Sequence, residues 1–296
     1  MRNPLLALLD IWLCRYWTAD PVALARLGEA RPAIVITGAS EGIGLALAER
    51  FAGAGQPMLL IARQPELLAA AARRIAERTR LQTIPLALDI TAPDAADIIA
   101  ATLASHGLYA DILVNNAGIG LGGPFISHEV GDITRLIDLN VRALTVLMRR
   151  VVPDMCVRGR GGILNIASLG GYAAGPNQAA YYASKAYVVS LTRAVAWETR
   201  GLGVRVAVVA PGPVETRFHA KMGADTAFYR YLLRGMSAAA VAGSAWRGFR
   251  WGHRVILPGL ATPVLALAMK LSPGILTLPI IGLLLQRRGV GNAGHK

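Results

Sequence analysis

An alternation constrains this chain more than any other feature. From residue 33 onward, short apolar runs take turns with longer stretches of helical periodicity. Residues 33–37, 57–62, 83–88, 112–115, 162–167 and 204–210 read as strands, and 254–257 as a short seventh. Residues 43–54, 66–78, 93–104, 132–150 and 179–200 read as helices between them. Runs that are apolar throughout, without polar alternation, belong to strands buried on both faces. Such strands separated by helices predict a doubly wound parallel sheet of about seven strands. Right-handed crossovers then limit the topology to a few choices. Open sheets of this kind bind ligands beyond the C-terminal ends of their strands. The chemistry is therefore expected just after residues 37, 62, 88, 115, 167 and 210.

The length, 296 residues, suits one α/β domain with appended segments. The expected division is an N-terminal extension over 1–30, the α/β domain over 31–258, and a C-terminal tail over 259–296. Hydrophobic residues make up 54% of the chain and charged ones only 17%, against about a quarter in ordinary domains. An apolar surface or segment beyond the core is expected.

Thr37-Gly38-Ala39-Ser40-Glu41-Gly42-Ile43-Gly44 joins the first strand to the first helix. Glycines there let the backbone turn tightly and approach a pyrophosphate, and the helix N-terminus offers free N–H groups. Gly38, Ser40, Glu41, Gly42, Ile43 and Gly44 are the candidate phosphate cradle. A glycine-rich turn without a ligand is the plainer reading. The end of the second strand then selects the cofactor. An acid there would bind the ribose hydroxyls of NAD, whereas a base would accept a 2′-phosphate. Arg63 stands at that place, and its guanidinium fork suits phosphate, so NADP(H) is expected over NAD(H).

The loop's spacing, G-x-x-x-G-x-G after a threonine, resembles that of the short-chain dehydrogenase/reductase family. The resemblance implies a Rossmann-type fold and extends over about residues 33–257. It makes Asp89, with Ile90, the partner of the adenine ring. Asn115-Asn116-Ala117-Gly118 matches the family's N-N-A-G, which props the sheet and lines the cofactor cleft, so Asn115, Ala117 and Gly118 join the candidates. Pro211-Gly212-Pro213-Val214-Glu215-Thr216 resembles the segment that closes over the nicotinamide. Pro211, Gly212, Val214 and Thr216 are its expected contacts.

Tyr181 and Lys185 lie four residues apart, which places both on one face of a helix. A phenol titrates near pH ~10, and a neighbouring ammonium and a cationic nicotinamide would lower that value. Tyr181 is the expected acid/base and Lys185 its partner, with both also touching the cofactor. Y-x-x-x-K alone occurs by chance in many helices. Ser168, thirteen residues earlier at the end of the fifth strand, has the family's spacing. Asn140 matches the family's fourth catalytic residue, which distorts a helix and holds a relay water. Tyr182 is expected to point away, and Ser184 to serve helix packing. The implied reaction is hydride transfer between nicotinamide and a carbonyl or alcohol. No Cys/His spacing suggests a metal, and Cys14 and Cys156 read as ordinary thiols.

The substrate loop, about 218–236, carries Tyr229, Tyr231, Leu232, Leu233 and Met236 beside Arg217, Lys221, Arg230 and Arg234. An apolar ketone or a 3-oxoacyl thioester with an anionic head group fits it best. From Arg217 onward eleven Lys/Arg face one acid, Asp225. This suggests an anionic partner. Residues 260–285 are strongly apolar but broken by Pro263, Lys270, Pro273 and Pro279, too short for a span of about 20 residues. An interfacial or partner-covered tail is expected, with packing on its own domain as the other reading; the segment 237–259 resembles a bacterial subgroup of the family whose members carry a basic, apolar tail.

The N-terminal segment contains Asp10 and no cleavage site, which disfavours a secretory signal. A cytoplasmic protein is expected, with membrane contact only through the tail. The resemblance implies a homodimer or homotetramer paired through helices 132–150 and 179–200. Two other classes compete: a non-catalytic NADP(H)-binding scaffold sensing redox state, and a nucleic-acid-binding protein. No nucleic-acid motif supports the latter.

Overall fold

The computed structural model describes residues 20–223 and 235–286. After a short helix α1 (Pro21–Ala25) come β1 (Arg31–Thr37), α2 (Gly42–Phe51), β2 (Met58–Ala62), α3 (Pro65–Thr79) and β3 (Thr83–Ala87). The second half follows with α4 (Ala95–Ser105), β4 (Leu108–Asn115), α5 (Val130–Ile137), α6 (Leu144–Arg158), β5 (Gly161–Ile166), α7 (Ala179–Glu198) and β6 (Val204–Val209). The remainder is β7 (Val214–Glu215), a four-residue α8 (Phe218–Lys221), β8 (Met236–Ser237), α9 (Ala238–Arg250), β9 (Val255–Ile256), α10 (Ala261–Leu271) and α11 (Gly274–Leu285).

Seven strands form one parallel sheet in the order β3-β2-β1-β4-β5-β6-β9. The doubly wound architecture expected from the alternation is present. The order reverses between β1 and β4, so the crevice lies between their C-terminal ends. Side chains alternate across the pleat. Ile34, Ile36, Leu60, Val114 and Leu164 face the layer of Leu47, Phe51, Leu68 and Phe249 from α2, α3 and α9. Val35, Leu59, Leu113 and Val208 face Ile99, Leu147, Met155 and Val188 from α4, α6 and α7.

The helical stretch after Glu129 is longer than expected. A six-residue π segment, 138–143, joins α5 to α6 and contains Asn140. The small parallel pair β7–β8 was not anticipated. Cys14, Tyr229, Arg230, Tyr231, Leu232, Leu233 and Arg234, named above, lie outside the described residues.

The glycine turn is fixed by close packing. A Cβ on Gly44 would stand 2.1 Å from the Gly38 carbonyl oxygen and 2.4 Å from Asn116 Nδ2. Gly53, at the end of α2, has nothing within 4 Å of the same position. Gly44→Ala is therefore expected to cost about 1–3 kcal/mol or more in urea unfolding. Gly53→Ala should leave the midpoint unchanged or raise it. Equal effects of the two changes would show that the turn is not tightly packed.

Candidate active site

The strand ends open into one cleft of about 980 Å³. At one end lies the glycine turn. Gly38 has φ of 65° and Gly42 of 58°, in the left-handed region that glycine favours. Ser40, Glu41, Ile43 and Gly44 line the cleft beside them at the start of α2. The turn is tied to β4 through Thr37. Its buried hydroxyl accepts from Asn116 N (3.0 Å) and Ala117 N (3.1 Å) and faces Val114 O at 3.4 Å. Asn116 Nδ2 in return donates to Thr37 O (3.0 Å) and Gly38 O (3.1 Å).

Arg63 stands exposed on the cleft edge past β2, and Asp89 and Ile90 lie past β3. Partial burial would raise the Asp89 carboxyl. Hydrogen bonds from Thr91 N (3.0 Å) and Thr91 Oγ1 (2.7 Å), together with the Arg63 charge, hold it below the usual carboxylate range. Ala117, Gly118, Pro211, Gly212, Val214 and Thr216 complete this wall.

Asn115 departs from expectation. It does not line the cleft; its buried side chain donates to Asn165 Oδ1 (2.9 Å), whose amide donates to Thr192 Oγ1 (2.8 Å). Strand alternation turns Asn115 into the layer beneath, so it is a strut between β4 and β5, and Asn116 is the cleft residue.

Tyr181 and Lys185, on α7, meet Ser168 at the cleft's centre. Tyr181 is hydrogen-bonded to the Ser168 side chain, whose Oγ also accepts from Gly170 N (3.1 Å). Lys185 Nζ donates to Ile166 O (2.9 Å) and sits 5.8 Å from the Tyr181 ring centre. Burial dominates both groups. It pushes the Tyr181 phenol up to about 12, against a smaller lowering by Ser168, and the Lys185 ammonium down to about 8. Burial outweighs the lowering expected from the ammonium. The Tyr181 phenol is therefore neutral.

Asn140 sits behind the wall rather than in it. Its Nδ2 donates to Ile119 O (2.8 Å) and Ser184 Oγ (3.1 Å), and its Oδ1 accepts from Ile119 N (2.9 Å). Ser184 Oγ donates on to Tyr181 O (2.7 Å). Ser184 thus couples the π segment to the backbone of Tyr181, beyond the packing role expected of it. A Cβ on Gly118 would meet Asn140 Oδ1 at 3.1 Å and Lys185 Nζ at 3.5 Å, so only glycine lets the wall approach both.

Tyr182 does not point away. It lines the cleft, edge-on to Tyr181 at 6.2 Å, and covers Gly170 and Gly175. Phe218, 5.7 Å from the Tyr181 ring, and Met222 continue this apolar end. Arg217 and Lys221 both pair with Glu41, so in this arrangement they bridge the cleft mouth instead of awaiting a head group. Burial would raise Glu41, but Lys221 and Arg217 hold it below the usual range. Met269 of α10 and Ile281, Leu284 and Leu285 of α11 roof the same end. Part of the tail is therefore packed on its own domain. Among the described residues no cluster of three His, Cys, Asp or Glu could hold a metal ion.

This geometry puts a glycine turn, an exposed arginine and a buried tyrosine–lysine–serine group in one cleft. The short chain dehydrogenase family model matches residues 32–227, and the chain belongs to that family, an oxidoreductase acting on CH–OH or carbonyl groups. It is 35% identical over 204 residues to sulfoacetaldehyde reductase 2 of Chromohalobacter salexigens, covering 68% of this chain and 80% of that one. It is 35% identical over 187 residues to a very-long-chain 3-oxoacyl-CoA reductase of Bos taurus, covering 62% of this chain and 59% of that relative. The crystallised short-chain dehydrogenase from Sphingobium yanoikuyae in complex with NADPH superposes with a TM-score of 0.72 at 33% identity, over 80% of this chain and 92% of that one.

Burial pushes the Lys185 ammonium down to about 8, from which a pH dependence is expected. Its charge supports the site below that pH and is lost above it. We expect kcat/KM for carbonyl reduction to fall as pH rises through about 8, reporting the free enzyme. A profile flat to pH ~10, where lysine titrates in water, would mean that the Lys185 charge does not matter.

Proposed function

We propose that this protein is an NADP(H)-dependent reductase of apolar ketones or 3-oxoacyl-type thioesters. The observation that carries the reading is the buried, neutral Tyr181 hydrogen-bonded to Ser168 in a cleft with a base at one end and an apolar roof at the other. The named activity of the bovine 3-oxoacyl-CoA relative and the NADPH bound by the Sphingobium neighbour support it.

The residues fit the cofactor. The glycine turn leaves no room for a Cβ at Gly38 or Gly44, as a surface built for close backbone approach requires. Ser40, Glu41, Gly42 and Ile43 would surround the phosphates, with Arg63 on the 2′-phosphate. Asp89 and Ile90 would take the adenine, and Ala117, Gly118, Pro211, Gly212, Val214 and Thr216 the remaining ribose and nicotinamide. NADPH, when bound, supplies the hydride.

The chain's own residues do the rest. Ser168 and Tyr181 hold the carbonyl oxygen between two hydroxyls. Tyr181 gives its proton to that oxygen as negative charge develops there. Lys185 supplies the positive charge that stabilises the phenolate left behind. Asn140, held by Ile119 and Ser184, keeps the wall beside Lys185 in place and the route for proton return open. Leu169, Tyr182, Phe218 and Met222 exclude water from the reacting centre.

The catalytic domain spans 31–258, with 1–30 and 259–296 as extensions. A homodimer or homotetramer paired through α5–α6 and α7 is supported by Val146, Val157, Tyr187 and Trp197, which lie exposed on those helices.

The test is NADPH consumption over a panel of small aldehydes, bulky ketones and 3-oxoacyl thioesters of rising chain length. We expect kcat/KM to rise with apolar size, and Tyr181→Phe to lower kcat about 10²–10⁴-fold with NADPH affinity retained. Tight NADPH binding with no turnover anywhere on the panel would overturn the reading in favour of a redox-sensing scaffold.

A further inference from the structure

Helices α10 and α11 have two unlike sides. Their inner edge is accounted for, since Ala266, Ile281 and Leu285 are buried and Met269 lines the cleft. Asn177 Nδ2 reaches Gly282 O at 3.4 Å, and Gly282 packs against Pro176, which anchors α11 over the loop that follows Ser168. The outer edge is the anomaly. Leu260 is 97% exposed, and Val264, Leu267 and Leu271 continue from it at spacings of four, three and four residues. That is one stripe along α10. On α11, Ile275 is 82% exposed and Leu283 64%. A helix pair facing water would carry polar residues there. This one carries apolar side chains on both sides.

The charge of this part of the sequence has one sign. From residue 226 to 296 the sequence holds nine Lys/Arg and no Asp or Glu. Lys270 is exposed at the end of α10, and Arg287 and Arg288 follow directly after α11 in the sequence. A second copy of the chain is a poor match. An isologous contact sets each patch against itself and would bring like charges such as Lys270 together. A span is also excluded for these helices. They have 11 and 12 residues, and no helix among the described residues is long and apolar enough to cross a membrane. An apolar stripe flanked by cations matches the headgroup boundary of an anionic bilayer.

We propose that helices α10 and α11 dock in the headgroup region of an anionic membrane, with the roof of the substrate cleft lying at the lipid surface. The inner residues Met269 and Ile281 then separate the cleft from the bilayer by the thickness of one helix layer. Apolar substrates dissolved in the membrane are the class placed within reach. The docking itself is read without turnover, so its failure and the failure of the carbonyl-reductase reading are distinguishable.

The experiment is co-sedimentation of the full chain with phosphatidylcholine vesicles, with and without phosphatidylglycerol. Binding is expected to the anionic vesicles, weakened by salt but not abolished, because the apolar part is not screened. Leu267→Glu with Leu283→Glu should lower partitioning about tenfold or more. NADPH binding and circular dichroism should stay as in the wild type, since neither residue lines the cleft. If that pair misfolds, Leu267→Ser with Leu283→Ser is expected to weaken binding in the same direction. Wild-type protein left in the supernatant with anionic vesicles would overturn the proposal. So would variants that bind as the wild type does, or a wild-type dimer that the substitutions dissociate while no vesicle is bound.

Discussion

One buried hydroxyl holds this site together. Thr37 ends β1 at the point where the strand order reverses, and its side chain bonds to the backbone of β4 and the segment after it. Two sheet halves that diverge at their C-terminal ends are clamped where they separate. Asn116 completes the clamp by reaching back to Thr37 and Gly38 carbonyls. Because the clamp is this tight, Gly38 and Gly44 have no room for side chains, and α2 starts where its free N–H groups face the cleft. The width of the cleft, and hence what can lie across it, follows from contacts that involve no ligand.

Burial dominates the centre of the cleft. Tyr181 and Lys185 are close, Lys185 Nζ donates to the Ile166 carbonyl, and the cost of a buried charge weighs on both groups. The cleft therefore holds a neutral phenol next to a weakened cation. The π segment around Asn140 adds the positional control. It turns one asparagine amide inward to hold Ile119 and Ser184 at once.

Much of this was legible in the sequence, for identifiable reasons. Strands buried on both faces leave uninterrupted apolar runs, and glycines under steric compulsion leave fixed spacings. The four-residue step from Tyr181 to Lys185 carried its own geometry. The misreadings are equally physical. Asn115 and Asn116 are adjacent and identical, and only the parity of β4 decides which enters the cleft. Ser184 lies three residues after Tyr181 on the same helical face, a spacing that lets its hydroxyl reach the Tyr181 carbonyl. Tyr182 reaches the cleft because Gly170 and Gly175 clear a path for its ring, a tertiary fact no local pattern states. Arg217 and Lys221 face Glu41 across 176 and 180 residues of sequence, a separation that hides the pairing. The tail was harder still. α11 is apolar all round, so its composition holds no clue to which side meets the protein.

The most direct measurement of the central claim is a fluorescence titration of wild type and Arg63→Ala with NADPH and with NADH. The account predicts tighter binding of NADPH by the wild type, with most of that preference lost in Arg63→Ala and NADH affinity little changed. Equal or tighter binding of NADH by the wild type would contradict it, and would mean that the edge of the cleft beyond β2 does not read a 2′-phosphate.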